Sequence, residues 1–367
     1  MRVLTYLHSF EPGGLERDVL RFTKAWRDLG IDAEIVLGRP EGALASEAPD
    51  VPYIVLQKGR FSTARFETLW MVWHLPRTIR KTRPDVVFCA GNSYSIVAVL
   101  VRLLMGKRCP PMVFRVSNDL VRRDMPWPVR QLYYLWLRMH PPFFAAIVAM
   151  AEPARAEIID RMRADPSRVV AIDNGSMLHA DFERLAHVRA ATRLQHAGRS
   201  YLGVGRLAAQ KNFELLVEAF ARIARPEDRL TIVGEGPRRK SIEARSAQLG
   251  VADQVSLPGH CSPLDSFFAS ADALVLSSDF EGLGIVVLEA LAAGLPVVAT
   301  DCGPNMKMLT DGVGRLVPTR DPARLAHAMA AIVTDDHDRD AMRARAQRFT
   351  IEASAGDWQS LFDRIAR

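Results

Sequence analysis

The stretch "DALVLSSDFEGLGIVVLEALAAGLPVVATDCG", residues 272–303, decides how the rest of the chain is read. "DALVLSS" is a short apolar run of buried-strand type, "DFEGLG" is a turn, and "IVVLEALAAG" is an apolar helix closed by Gly294 with Pro296 soon after. "LPVVATD" is a second strand, and two strands joined through a helix pair in parallel. Two acids, Glu281 and Glu289, interrupt these apolar and glycine-rich surroundings. An unpaired buried carboxylate is costly, so each needs a partner, a proton or a ligand. Glu281 falls at the carboxyl end of a strand, beside the N–H groups of Gly282, Leu283 and Gly284, and donors at a helix start favour phosphate or an oxyanion. Glu289 lies about one and a half turns into the helix. The expectation is that hydroxyls of one elongated ligand supply the partners of both acids. The alternative is a helix-start acid and a solvated face residue.

The same alternation extends in both directions. "RVLTYLH" is a strand, and "GGLERDVLRFTKAWRDLG" is a helix with Leu15, Val19, Phe22, Trp26 and Leu29 at helical spacing and Gly30 as its stop. "IDAEIVLG", "RPDVVFCAG", "SIVAVLVRLLMG", "PPMVFRVSND", "AAIVAMA" and "RVVAIDNGS" continue it, while residues 178–199 are charged and poor in strand formers, a linker with some helix. A second alternation starts at "SYLGVGRLA" and runs to "GRLVP". The fold class is therefore α/β, two doubly wound Rossmann-like domains in tandem, spanning residues 1–180 and 198–349. Ligands of such sheets bind outside the carboxyl ends of the strands, so two facing sheets predict an interdomain cleft.

At 367 residues, 49% of them hydrophobic, the chain is globular and long enough for two cores. Cys89, Cys109, Cys261 and Cys302 are too scattered for a zinc pattern or a disulfide framework, which fits a reducing, cytoplasmic compartment. "MRVLTYLHSFEPGG" reads as a first strand and not as a signal peptide, and no apolar run is long enough to span a bilayer. The net charge of +6 is unevenly placed: residues 53–140 hold fifteen Lys or Arg against four Asp or Glu. Trp70, Trp73, Trp127 and Trp136 fall in that window, within "FSTARFETLWMVWHLPRTIRKTRP" and "DMPWPVRQLYYLWLRMHPPFF". Aromatics mixed with arginines suit the interface of an anionic bilayer. The plainer alternative packs the aromatics on the sheet and leaves the arginines solvated. No nucleic-acid-binding module is present in the sequence.

Two further clusters belong to strand ends. In "GVGRLAAQKN", a glycine turn with Gly203 and Gly205 lets backbone approach a ligand, and Arg206 and Lys211 can both reach a pyrophosphate. It is not a dinucleotide fingerprint, because the third glycine and the ribose-binding acid are missing. In "PGGLER", Gly13 and Gly14 open a helix and could accept a phosphate or a sugar edge.

Taken in order, "PGGLER", "NGS" (174–176), "GVGRLAAQKNFELLVEAFARI", "IVGEGP", "VSLPGH" and "SSDFEGLGIVVLEALAAGLPVVATDCG" resemble the family 4 retaining glycosyltransferases of the GT-B fold, with their two glutamates separated by seven residues. The resemblance covers nearly the whole chain. It implies transfer of a sugar from a nucleotide diphosphate donor with retention of configuration, a UDP-sugar being favoured and GDP-mannose the alternative. It also implies roles: Arg206 and Lys211 on the diphosphate, Glu281 on the donor sugar, Glu289 on the ribose, backbone at Gly13, Gly14, Gly205, Gly282, Leu283 and Gly284 on phosphate or sugar, and Gly259 and His260 by the base. The barrier is charge separation at the anomeric bond, so fixed cations on the departing diphosphate would be the largest available electrostatic term. No metal or other cofactor is expected, since "DDHD" (335–338) lies in a polar helical tail. Two positions depart from the family pattern: Ser117 and Asn118 stand where many members carry a histidine, as candidate helpers near the donor sugar, and Lys307 replaces a common glutamate. The implied acceptor is a lipid-linked or surface glycan, met by the N-terminal domain at the cytoplasmic face of a membrane. The tail, about 350–367, is expected to return to that domain through Trp358 and Phe362. A sugar-nucleotide epimerase and an inactive glycan-assembly scaffold are the other readings.

Overall fold

The computed structural model describes residues 1–11, 13–56, 66–117, 120, 125–188, 198–310 and 312–367. Two compact units emerge, Met1–Ser176 together with Ile351–Arg367, and Met177–Thr350. The first begins β1 (Arg2–Leu7), α1 (Gly14–Asp28), β2 (Asp32–Leu37), β3 (Tyr53–Val55), α2 (Glu67–Thr82), β4 (Val86–Cys89) and α3 (Ser95–Met105). It continues β5 (Met112–Arg115), α4 (Trp127–Arg138), β6 (Ala146–Ala149), α5 (Glu152–Met162) and β7 (Val169–Ala171). All strands pair in parallel in the order β3-β2-β1-β4-β5-β6-β7. Central strands such as "VVFC" of β4 and "AIVA" of β6 are buried at every position, as a parallel sheet covered on both faces requires. α1 buries Val19, Leu20, Phe22 and Trp26 and ends at Gly30, whose φ of +84° a residue with a side chain would rarely adopt.

The second unit holds α6 (His179–Val188), β8 (Ser200–Val204), α7 (Phe213–Ala221), β9 (Arg229–Val233), α8 (Arg239–Gln248), β10 (Val255–Gly259) and α9 (Asp265–Ser270). β11 (Ala273–Leu276), α10 (Ile285–Ala292), β12 (Val297–Thr300), β13 (Gly314–Val317), α11 (Pro322–Ile332) and α12 (Arg339–Gln347) complete it. Its parallel order is β10-β9-β8-β11-β12-β13. The described part of the charged 178–199 segment is more than a linker: α6 buries Phe182 and Leu185 and packs on α9, α10 and α12 of this unit. Two apolar residues among many charges suffice because the helix needs only a narrow stripe against its neighbours. Gly294 closes α10 at φ +68°, with Leu295 N–H donating to Ala290 O at 2.8 Å.

The chain then returns to the first unit as α13 (Ile351–Ala366), which packs on α1. Trp358 and Phe362 are fully buried there, Trp358 meeting Trp26 and Phe88 edge-on at 6.0 and 5.0 Å between centroids. Such edge-to-face pairs add about 0.5–1.5 kcal/mol each beyond the area they bury. In each sheet the strand order reverses once, between β1 and β4 and between β8 and β11, and these are the positions where an open parallel sheet presents a ligand crevice.

Candidate active site

At the reversal point of the second sheet, the segment leaving β8 lies against the segment leaving β11. Gly205, at φ +151°, has no side chain where a Cβ would come 3.1 Å from Lys211 Cε, so the lysine stem runs over it. Asn212 takes the left-handed conformation at φ 44°, caps α7 by accepting from Leu215 N–H at 3.3 Å, and donates through Nδ2 to Asp279 Oδ1 at 3.1 Å. Gln210 donates to Phe280 O at 2.9 Å, Asp279 N–H donates to Gln210 O at 2.8 Å, and Ser277 Oγ donates to Lys211 O at 2.9 Å. Lys211 is thereby held by its own backbone neighbours against residues nearly seventy positions away.

Its ammonium forms an ion pair with Glu281, which also accepts from Ser278 Oγ at 3.4 Å. This corrects the expectation that Glu281 lacks a partner until a ligand arrives: β8 and β11 are adjacent, so the cation of one strand end neutralises the acid of the other. Glu289 is half-buried on α10 and engaged within the chain, so it does not wait on a ligand for a partner either. Arg206 is exposed, and among the described residues its guanidinium has no hydrogen-bond or ion-pair partner. The site thus presents one compensated cation and one uncompensated cation on the same segment.

The turn before α10 is fixed from below. Glu281 N–H donates to Cys302 O at 2.9 Å, and Asn305 Nδ2 donates to Gly282 O at 3.0 Å. A Cβ on Gly303 would sit 2.5 Å from Glu281 O, so only glycine permits this approach. Gly284 is the N-cap of α10 at φ +72°, and Leu283 is buried. Lys307 is exposed in the turn Pro304–Leu309 after β12. Toward the other edge, a Cβ on Gly234 would come 1.9 Å from Gly205 O, and Gly205 N–H donates to Val233 O at 3.0 Å. Gly234 N–H in turn donates to Gly259 O at 2.8 Å, which ties Gly259, at φ +91°, and the exposed His260 to the same layer of strand ends.

The carboxyl edge of the first sheet carries Gly13, the N-cap of α1, with Gly14 exposed as its first residue. Ser117 follows β5, its N–H donating to Asn92 Oδ1 at 2.9 Å, whereas Asn118 lies outside the described residues. Beside them stands a polar cluster. Tyr94 donates to Glu16 Oε1 at 2.9 Å, Arg39 to Glu67 Oε1 at 2.6 Å, and His8 Nδ1 lies 3.8 Å from Glu67. Burial holds the His8 imidazole below its ordinary pKa of 6.5, outweighing the pull of Glu67 and Glu16. In the same unit Arg115, 1% exposed, donates to Ala90 O, Asp18 and Asn174, the last from "NGS". Glu16, Asn174, Asn212 and Asp279 lie within the quoted motifs, but which groups they pair with was not legible, because most of those partners lie far away in the chain.

Residues 12–176 match the model of Glycosyltransferase Family 4, and residues 188–349 that of Glycosyl transferases group 1. The D-inositol 3-phosphate glycosyltransferase of Frankia alni is 34% identical over 371 residues, covering 92% of this chain and 89% of that protein. The lipopolysaccharide core biosynthesis glycosyltransferase LpsD of Rhizobium meliloti is 25% identical over 375 residues, covering 99% and 98%. Among solved structures, the apo lipopolysaccharide outer core galactosyltransferase WaaB superposes with a TM-score of 0.78 at 18% identity, covering 99% of this chain and 100% of that one. HepE of Anabaena, in complex with UDP and glucose, gives 0.73 at 19%, covering 99% of both. Two parallel sheets of this topology and sequence relatedness along nearly the full length agree: the chain belongs to the family 4 glycosyltransferases of the GT-B fold and is a transferase.

Proposed function

We propose that this transferase moves a sugar from a nucleotide diphosphate donor, with retention of anomeric configuration, to a lipid-linked or surface-polysaccharide acceptor at the cytoplasmic face of a membrane. The observation that carries the donor side is the Lys211–Glu281 pair beside the unpaired Arg206 at a strand-order reversal. When a diphosphate binds, Lys211 turns from Glu281 to the phosphate, and Glu281 is released to accept from a sugar hydroxyl. Arg206 adds the second positive charge, so negative charge developing on the leaving group meets two cations already in place. Those side chains take the role a metal ion would otherwise fill, and none is assigned. A UDP-sugar is the favoured donor, with GDP-mannose second; the UDP held by HepE supports that order.

The acceptor reading draws on LpsD and WaaB, whose names place them in lipopolysaccharide assembly. It draws also on the first unit's surface: Phe66, Leu69 and Trp73 of the α2 region and Trp127, Leu132 and Leu135 of α4 are exposed, and Arg77 stacks on Trp73 at 4.9 Å. Trp70 and Trp136 are instead partly covered, against His74 and His140. Among the described residues no helix is long and apolar enough to cross a membrane, so the reading is of surface attachment.

A thermal-shift screen of UDP-, GDP- and ADP-sugars tests the donor. The expected result is a rise in midpoint with a UDP-sugar, since a ligand of the native state stabilises by mass action. A folded preparation that none of the three stabilises would sink the donor reading. The anomeric configuration of product from the matching donor, read by NMR, then tests retention.

A further inference from the structure

The first unit contains an open cavity of about 480 Å³ on the edge opposite Gly13 and Ser117. It lies at the amino ends of the strands: Met112 begins β5, Ala145 immediately precedes β6, and Arg168 immediately precedes β7. Three cations line it from three segments, Arg102 in the last turn of α3, Lys107 in the turn that follows, and Arg168. No carboxylate is among the lining residues. Arg102 donates to Cys109 O at 2.7 Å, which aims the guanidinium without neutralising it. Lys107 and Arg168 have no side-chain ion pair among the described residues. Asp165, in the turn of Arg168, is occupied with Ser167 N–H and Oγ at 2.9 and 2.8 Å. The remaining wall is largely apolar, including Pro111, Phe143 and Phe144.

Converging cations without acids select an anion, and a volume of this order suits a small-molecule group. Immediately before the cavity, α3 turns Leu103 and Leu104 outward, 62% and 64% exposed. Two adjacent leucines on a rim of Arg102, Lys107 and Arg108 are poorly placed for water and well placed for the boundary between acyl chains and headgroups. We propose that this cavity binds the phosphate of an anionic lipid headgroup, with Leu103 and Leu104 entering the lipid. The site is distinct from the sugar-transfer site at the opposite edge, and it rests on the membrane reading above only for the source of the phosphate.

The test is co-sedimentation of the full chain with vesicles of phosphatidylcholine, with and without phosphatidylglycerol. Wild type should bind the anionic vesicles and release as salt rises, and Lys107→Glu/Arg168→Glu should bind roughly tenfold more weakly, since each basic residue near such a surface contributes appreciably. An unchanged thermal midpoint and an unchanged response to donor show that the variant is folded. Leu103→Ser/Leu104→Ser should also lose vesicle binding. Glycerol 3-phosphate in solution separates the sources: saturable binding to it with no binding to vesicles would overturn the lipid in favour of a soluble phosphate. If wild type binds anionic vesicles and the double charge reversal binds equally well, the cavity is not the site, although the membrane reading survives. Should wild type ignore anionic vesicles altogether, both are overturned.

Discussion

Lys211 and Arg206 sit on one segment, yet their surroundings predict different phenotypes. Arg206 is exposed and unpaired among the described residues, so Arg206→Ala should leave stability within about 0.5 kcal/mol while lowering kcat by roughly 10²-fold or more. Lys211→Ala removes the partner of a Glu281 side chain only 15% exposed, and should lower kcat and also cost on the order of 1–3 kcal/mol. Urea unfolding alongside steady-state rates separates the two; equal stability losses would contradict the pairing. Gly303→Ala provides a second residue-scale check. With Glu281 O only 2.5 Å from the new methyl, the turn must move, and kcat should drop more than KM rises. Gly14→Ala, with open space around its Cβ position, should fold and unfold as wild type does. Glu281 and Glu289 stood out in the sequence as acids in apolar company, but which group answers Glu281 was not legible. The answer lies 70 positions upstream and depends on strand order.

At the scale of elements, the turn after α4 carries a pH dependence. His140 is wholly buried against Phe114, Phe144 and Trp136, with Nδ1 2.8 Å from Trp136 O. Burial holds its pKa below 6.5, as it does for His8 at the end of β1. Both are neutral in the folded state when the unfolded chain begins to take up protons, so stability is intact above the ordinary pKa and falls as pH drops below it. The thermal midpoint should therefore decline as pH falls below about 6.5, with part of the slope removed in His140→Phe. A slope unchanged in that variant would exclude His140 as a contributor. Asp228 acts lower: burial opposes its ionisation, but Arg199 and the N–H groups of Arg199 and Arg225 prevail and hold its pKa below 3.8. Its contribution is present above that value and lost as pH falls through the depressed one, which keeps the two windows apart. The strands and helices around these groups were readable from local periodicity and from stops such as Gly30 and Gly294. The packing of α6 was not, because so few apolar residues mark it.

For the whole molecule, α13 is the decisive connection. Residues at the end of the chain complete the core of the unit formed by its beginning, with Trp358 among Trp26, Phe22 and Phe88. Trp358→Ala should cost about 3–5 kcal/mol in urea unfolding. A loss under about 1 kcal/mol would mean that α13 is not seated there. By itself the sequence determined the two doubly wound domains, the positions of their turns and the family, because periodicity and caps are encoded within a few residues and the glycine-and-acid motifs are local. It also located the basic, tryptophan-rich window. Only the tertiary structure decided which tryptophans turn outward, that Lys211 neutralises Glu281, and that Arg102, Lys107 and Arg168 converge on one cavity. Each of these depends on which strands are neighbours, and long-range adjacency is set by the packing of the entire sheet and not by any stretch of residues within it.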